Sequence, residues 1–511
     1  MEAFTRICWI AAAVGMMAVP LTACTSSTPT SGANEPPKAG SPTASAPPSG
    51  QTAPSAGTQE VTLRVMDWSD STKALREDFH KKFMEKYPNI KIQYTQLTID
   101  QFKNTVLTAV KSDDAPDLFP VPTGMKLSTL VKDGWFQPLD PLMDDAFKSM
   151  FVDGTFLEGT TMVGGKIYSI PEALSLPSTL VFYNKKLFKE AGLDPAQPPK
   201  TYAEFRDAAK KITQAGKGKY YGIIEGGKQT NRWQQTALDW SSMGGSGLNG
   251  NSPVSLVTKK TTYDSKPVLD VFELFKNMTK DGSFHPKTMS ITAPEARALF
   301  AQGQAGFIVQ GAWNVGVWNK DNPDLDYGVM APPLPDSGQK GALPMTNSGA
   351  WIGLGAKSKH PKEAALYLKE YYGSDLFQPK KVESGDSFSV VKGINEKYSK
   401  AAQLKQYYDI SMQISRIVPD PSIANPAAAD VFAEFKDVHP NLGELLAGVA
   451  AGAVNDEANK LGELSKQLDK AWAAAIDAAQ KKGAKVDAKT FEFANWDPMK
   501  NYGSDEYKAL K

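Results

Sequence analysis

The sequence predicts an α/β protein with a mostly parallel sheet. Between residues 61 and 119 the periodicity runs strand, helix, strand, helix, strand, the pattern of parallel strands joined by crossover helices. A similar unit begins again near residue 180. No short internal repeat is present, which excludes a solenoid.

Each element follows from its residues. VTLRVM at 61–66 alternates apolar and polar side chains, as a half-buried strand does. After Asp67-Trp68-Ser69-Asp70, Ser71 is placed to cap a helix in which Leu75, Phe79, Phe83 and Met84 recur at helical spacing and which Pro88 closes. IKIQYT at 90–95 predicts the next strand, and Phe102, Val106 and Val110 share one face of a helix over 99–111. Pro116-Asp117-Leu118-Phe119 predicts a short buried strand. LVFYN at 180–184 opens the second unit. Thr201 and Glu204 are spaced as a capping box ahead of FRDAAKKI, and YYGIIE at 220–225 reads as a strand. Further helices are expected around 265–280, 293–302, 361–372 and 457–480.

The first 57 residues are of another kind. Residues 1–20 contain Arg6 as their only basic side chain, and Ile7 to Val19 are apolar or small. That run is too short to span a bilayer but long enough for the h-region of a signal peptide. Leu21-Thr22-Ala23-Cys24 resembles the lipobox of bacterial lipoproteins, whose chain is cut before the Cys and whose Cys carries the lipids. A signal peptide over 1–23 and a lipid-bearing Cys24 are expected; an ordinary secretory signal with a chance Cys is the alternative. Residues 24–57, rich in Pro, Ser, Thr, Gly and Ala, cannot bury enough apolar surface to offset ordering, and are expected to form a disordered leash. Cys8 lies in the h-region, so the folded part has no cysteine and rests on core packing.

The composition excludes several classes. The chain has 57 basic and 56 acidic residues, a net charge of +1, with no basic excess to mark nucleic-acid binding. After residue 20 no apolar run approaches membrane-spanning length. Enzyme motifs are equally thin. Gly245-Ser246-Gly247-Leu248-Asn249-Gly250 fits a dinucleotide fingerprint, but it follows a helical pattern and runs into Pro253, so it reads as a loop. The stretch Gly222–Gln229 has Gln where a phosphate loop needs a Ser or Thr hydroxyl. His80, His285, His360 and His439 are too scattered for a zinc site, and no cofactor is expected. Paired carboxylates remain open, since a glycosidase needs only two acids brought together in space.

Four segments then point to one family. They are Ser169-Ile170-Pro171-Glu172-Ala173-Leu174-Ser175 leading into YNKKLF; Ala191-Gly192-Leu193 with PPKTYAEF; Phe300-Ala301-Gln302-Gly303 leading to Gly311-Ala312-Trp313-Asn314; and Ala350-Trp351-Ile352-Gly353 before SKHPKEAA. Their order and spacing resemble the extracellular solute-binding proteins of ABC importers, especially the carbohydrate-binding group that includes maltose-binding protein. The resemblance covers residues 60–375 well and the remainder loosely. It implies a two-lobe periplasmic-binding-protein-like (type II) fold with a hinge and an interlobe ligand cleft. The lobes are expected at 58–171 plus 330–385 and at 172–329 plus 386–511. It further implies an oligosaccharide ligand, ABC permease subunits as partners, a monomer, and a place on the outer face of the bacterial cytoplasmic membrane.

Sugar rings lie on flat aromatic faces, with their hydroxyls met by polar side chains at the rim. On that basis Trp313 matches the family's stacking Trp and Glu172 a family acid facing the cleft. Glu225 and Trp233 fall where the family places ligand contacts, and Trp351 is a further expectation. Asp67 and Trp68 sit just past the first strand, at the carboxyl end where open α/β sheets bind ligands, and Asp117 follows the Ala-Pro that precedes the third strand. The chain departs from the maltose-binding pattern at Phe119-Pro120-Val121-Pro122 and carries extra length near 240–262 and after 384. Two rivals are a surface glycoside hydrolase or lyase working through cleft acids, and the same fold binding a peptide, polyamine or other small solute.

Overall fold

Two sheets organise the chain in a computed structural model that describes residues 60–69, 72–122, 125–250 and 252–510. The signal, Cys24, the leash and Ser71 lie outside the described residues.

In the first sheet the strands run in the order 90–96, 61–67, 118–120, 352–355, 136–137. Val61–Asp67 pairs in parallel with Ile90–Gln96 from Val61↔Ile90 to Asp67↔Gln96, and in parallel with the third strand at Val65↔Leu118. Ile352–Gly355 enters antiparallel, with Ile352 opposite Pro120. Crossover helices Lys73–Lys86 and Ile99–Lys111 join the parallel strands, and Thr72 rather than Ser71 flanks the first of them. Phe79 and Phe83 of that helix pack with Leu63, Leu354, Tyr367 and Tyr371 in one core. The helical period seen in the sequence is the inward face of this helix.

The second sheet runs 327–330, 180–184, 305–310, 221–223. Here the expectation of a second parallel unit is only partly met. Tyr221–Ile223 is parallel to Ala305–Gln310, but Leu180–Asn184 is antiparallel to both of its neighbours. The strands 180–184 and 221–223 are consecutive in sequence, and strand 305–310 inserts between them. A long-range insertion of this kind leaves no trace in local periodicity. Around this sheet Phe205, Trp240, Phe275 and Phe307 form the second core, to which helices Leu442–Ala450 and Glu457–Lys481 contribute.

The outer edge of this sheet is not left open. Helix Ala402–Ile414 lies along strand Tyr327–Met330. The Val329 amide donates to Gln406 Oε1 at 3.1 Å, and Gln403 Nε2 donates to the Tyr327 carbonyl at 3.5 Å.

The chain passes between the two sheets three times. Ile170 pairs with Ile352 in the first sheet and Leu180 with Gln310 in the second, so residues 171–179 make one crossing. Residues 331–351 return from Met330 to Ile352. A third crossing follows Val390 and Val391, which belong to the first core, while Phe388 packs with Tyr407 in a further cluster that includes Leu180, Phe182 and Ile308 of the second sheet. The first two crossings leave from the carboxyl ends of the parallel strands in both sheets. Those two edges therefore face one gap, the crevice where open α/β sheets hold ligands.

Candidate functional site

On the first edge of the gap the structure gathers four of the expected residues around one that sequence reasoning missed. Asp67 ends the first strand with its carboxylate buried. Its Oδ1 accepts from the Ser69 amide at 2.9 Å and from the Tyr94 hydroxyl at 3.0 Å, and its Oδ2 lies 3.2 Å from Arg76 Nε. The Arg76 guanidinium also donates to Glu172 Oε1 and to the Tyr371 hydroxyl, and its carbon stands 5.1 Å from the Phe377 ring centre. Above it Trp351 lies 5.7 Å from the same carbon, and Trp68 meets Trp351 edge-on at 4.7 Å. The Val121 amide donates to the Trp351 carbonyl at 2.9 Å, which fixes Trp351 beside Val121-Pro122.

Arg76 is 2% exposed. A lone cation could not stay there, and two carboxylates, a phenol and three aromatic faces surround this one. The other oxygen of Glu172, Oε2, is buried and has no hydrogen-bond partner, while the Glu172 carbonyl accepts from Lys381 Nζ at 2.5 Å. The result is a carboxylate held rigidly from behind with one oxygen to spare. Its sequence signal was present. Arg76, Phe79, His80 and Phe83 fall at i, i+3, i+4 and i+7, so an arginine occupies an inward helical position.

On the second edge Trp313 opens helix Trp313–Asp321 directly after strand Ala305–Gln310. It is 44% exposed, the one exposed tryptophan among the described residues. A side chain at Gly311 would collide with the indole, so the ring lies on bare backbone and shows its other face to the outside.

Glu225 follows strand Tyr221–Ile223 at the same edge but is buried, with its Oε1 accepting from the Val309 amide at 2.7 Å. It borders a small, partly open pocket of about 10 Å³ with Thr179, Arg232 and Thr236. Trp233 is 3% exposed and packs edge-on to Phe275 at 5.8 Å, inside the core. From the same helix, Thr230–Met243, Arg232 and Thr236 line the small pocket beside Glu225 together with Trp233. Arg232, Thr236 and Asp239 fall at i, i+4 and i+7, and Arg232 Nη2 donates to the Val309 carbonyl at 3.1 Å. Asp117 lies at the amino end of the third strand, apart from the others. Its carboxylate accepts from the Arg64 amide of the first strand at 2.8 Å and from Ser358 Oγ at 2.6 Å, which ties the segment after the fourth strand of the sheet to the first strand.

Burial pushes the Glu225 carboxyl up to about 7, with Arg232 and the Val309 amide acting against it. Because the folded value is raised, the folded state holds the proton more tightly than the unfolded state. Stability is then lost as pH rises from the ordinary value of 4.5 towards 7. Glu225→Gln keeps an acceptor for Val309 and removes the titration. Relative to the wild type it is expected to gain about 2 kcal/mol in urea unfolding between pH 5.5 and pH 7.5. Parallel stability curves for the two proteins would contradict a buried, titrating Glu225.

Among the described residues no helix is long and apolar enough to cross a membrane and no cluster of potential metal ligands is found. The model of the bacterial extracellular solute-binding protein family matches residues 68–375. A Brucella abortus protein described as a binding protein is 30% identical over 325 residues, which covers 63% of this chain and 74% of the relative. Among solved structures, RafE of Streptococcus pneumoniae aligns with a TM-score of 0.59 at 18% identity, over 82% of this chain and all of that one. The GacH receptor of Streptomyces glaucescens, determined unliganded and with acarbose, aligns with a TM-score of 0.56 at 19% identity, over 80% of this chain and 99% of that one.

Proposed function

Because this chain belongs to the bacterial extracellular solute-binding proteins, which bind solutes for ABC transporters and are not enzymes, we propose that its cargo is an oligosaccharide. The cargo sits in the gap between the carboxyl edges of the two sheets. The observation that carries this reading is the first-edge cluster: the Trp68–Trp351 pair beside Glu172, whose Oε2 is buried and unpartnered. Aromatic faces suit the C–H faces of a sugar ring, and a fixed carboxylate suits its hydroxyls. Trp313 supplies a platform from the opposite edge. The GacH receptor, determined in complex with acarbose, shares the fold, which supports a saccharide cargo.

We place the two lobes at 58–171 plus 330–385 and at 172–329 plus 386–511, except that Val390 and Val391 pack into the core of the first and move that boundary past them. Cargo binding closes them about the three crossings. Lipid on Cys24 holds the receptor at the outer face of the cytoplasmic membrane, with residues 25–57 as a leash. The tether raises its effective concentration at the permease.

A thermal-shift screen of the whole protein against oligosaccharides, peptides and polyamines tests the reading. A cargo present at about 100 times its dissociation constant should stabilise the folded state by about 2.7 kcal/mol, a few degrees for a chain of this size. One glycan class should give that shift and be recovered intact. A shift with peptides or polyamines alone would replace the cargo, and a glycan recovered in fragments would replace the receptor by an enzyme.

A further inference from the structure

Six arginines lie among the described residues, and four of them are fully accounted for. Arg64 pairs with Asp114, Arg76 with Asp67 and Glu172, and Arg206 with Asp281. Arg416 donates to three backbone carbonyls. Arg232 and Arg297 are different. Neither has a carboxylate within 4.0 Å, the Nε of Arg232 is buried with no hydrogen-bond partner, and Arg297 makes no hydrogen bond with any described residue.

The fold brings the helices that carry these two together, close enough for their charges to interact. Arg232 stands in the first turn of helix Thr230–Met243, and Arg297 one turn into helix Ala293–Ala301. The starts of the two helices are stitched together. Gln229 Oε1 accepts from the Ala293 amide at 2.7 Å, and Gly226 abuts the Ala293 backbone so closely that a side chain there would overlap it. Both arginines are half-buried, and the charge of Arg232 adds to burial in disfavouring a proton on Arg297. Glu225, which shares a small pocket with Arg232, spends Oε1 on the Val309 amide and, being buried, is only partly charged at neutral pH. Two guanidinium groups near each other, with only a partly charged carboxyl beside one of them, are costly in an otherwise well-paired protein. The Arg232 guanidinium, bonded to the Val309 carbonyl one residue before the end of its strand, stands at the edge that faces the gap.

We infer that Arg232 and Arg297 form an anion-binding subsite and that the cargo carries an acidic group, a carboxylate or a sulfate or phosphate ester. The planar forks of two arginines match the oxygens of such a group. The inference rests on the cargo lying in the gap, but it does not require that cargo to be a sugar. The oligosaccharide reading then narrows to glycans bearing uronic-acid or esterified residues.

Calorimetric titration of the whole protein separates the two ideas. The probes are inorganic sulfate with chloride at matched ionic strength, uronic-acid oligosaccharides beside their methyl esters, and sn-glycerol 3-phosphate. Sulfate should bind the wild type and bind Arg297→Gln about tenfold more weakly, since Arg297 holds nothing else in place. Arg232→Gln should do the same, and the acidic oligosaccharides should outbind their neutral esters only while both arginines are present. Sulfate binding no better than chloride, or equally well to wild type and Arg297→Gln, overturns the subsite. If neutral glycans bind and sulfate does not, the subsite falls and the oligosaccharide reading stands. If sulfate and glycerol 3-phosphate bind and no glycan does, the subsite stands and the oligosaccharide reading falls.

Discussion

Replacing Arg76 by methionine is expected to cost the protein about 3–5 kcal/mol, the range measured when one partner of a buried ionic cluster is removed. Methionine fills much of the same volume, so the loss reports charge rather than a cavity. Asp67 and Glu172 would be left as buried carboxylates facing each other's neighbourhood with no cation between them. Urea unfolding followed by tryptophan fluorescence measures the loss directly. A second comparison guards against a general packing defect. In Asp67→Asn/Glu172→Gln the same Arg76→Met change should cost far less, because no uncompensated charge remains. An Arg76→Met midpoint equal to that of the wild type would mean that the cluster is not held by charge. Binding should suffer as well, since Arg76 is the group that aims Glu172 and floors Trp351.

Trp313→Ala should behave in the opposite way. The residue is 44% exposed and rests on Gly311, so its removal should change folding stability by no more than about 0.5 kcal/mol. Affinity for the cargo should fall about 100-fold, or about 2.7 kcal/mol, as expected for an aromatic anchor at the centre of a contact. Trp313→Phe should recover part of that loss by restoring a flat face. Calorimetric titration of the cargo found in the thermal screen, alongside urea unfolding, reads both quantities. A large stability loss with unchanged affinity would identify Trp313 as a packing residue instead of a ligand platform.

Local periodicity made much of the architecture legible. The strand at 61–67, the helix carrying Phe79 and Phe83, and the helix at 266–280 all follow from patterns a few residues long. Strand order in the second sheet did not, because 305–310 reaches its place between 180–184 and 221–223 only through contacts more than 80 residues distant in sequence. At the site, residue type led to Trp68, Trp351, Glu172 and Asp67, which the structure gathers in one cluster. It could not tell a tryptophan that faces outward from one that faces inward. Trp233 and Trp313 both stand in the first turns of helices that follow strands, yet one is 3% and the other 44% exposed. Arg76, Arg232 and Asp239 were passed over because a charged residue at an inward helical position looks, in sequence, like any solvated one. What separates Arg76 is the apolar company of its own face, Phe79 and Phe83, while Arg232 and Asp239 each precede a buried tryptophan, Trp233 and Trp240, on a largely buried helix.

The strand at 327–330 would, if bare, offer its backbone as a template on which a strand from another molecule could grow. Gln403 and Gln406 occupy that template from within the same chain. Receptors of this design can therefore crowd together at high local density without zipping into polymers along their sheets. The protection comes from two side-chain amides rather than from a covering strand, so the helix that bears them serves as a stopper as well as a support.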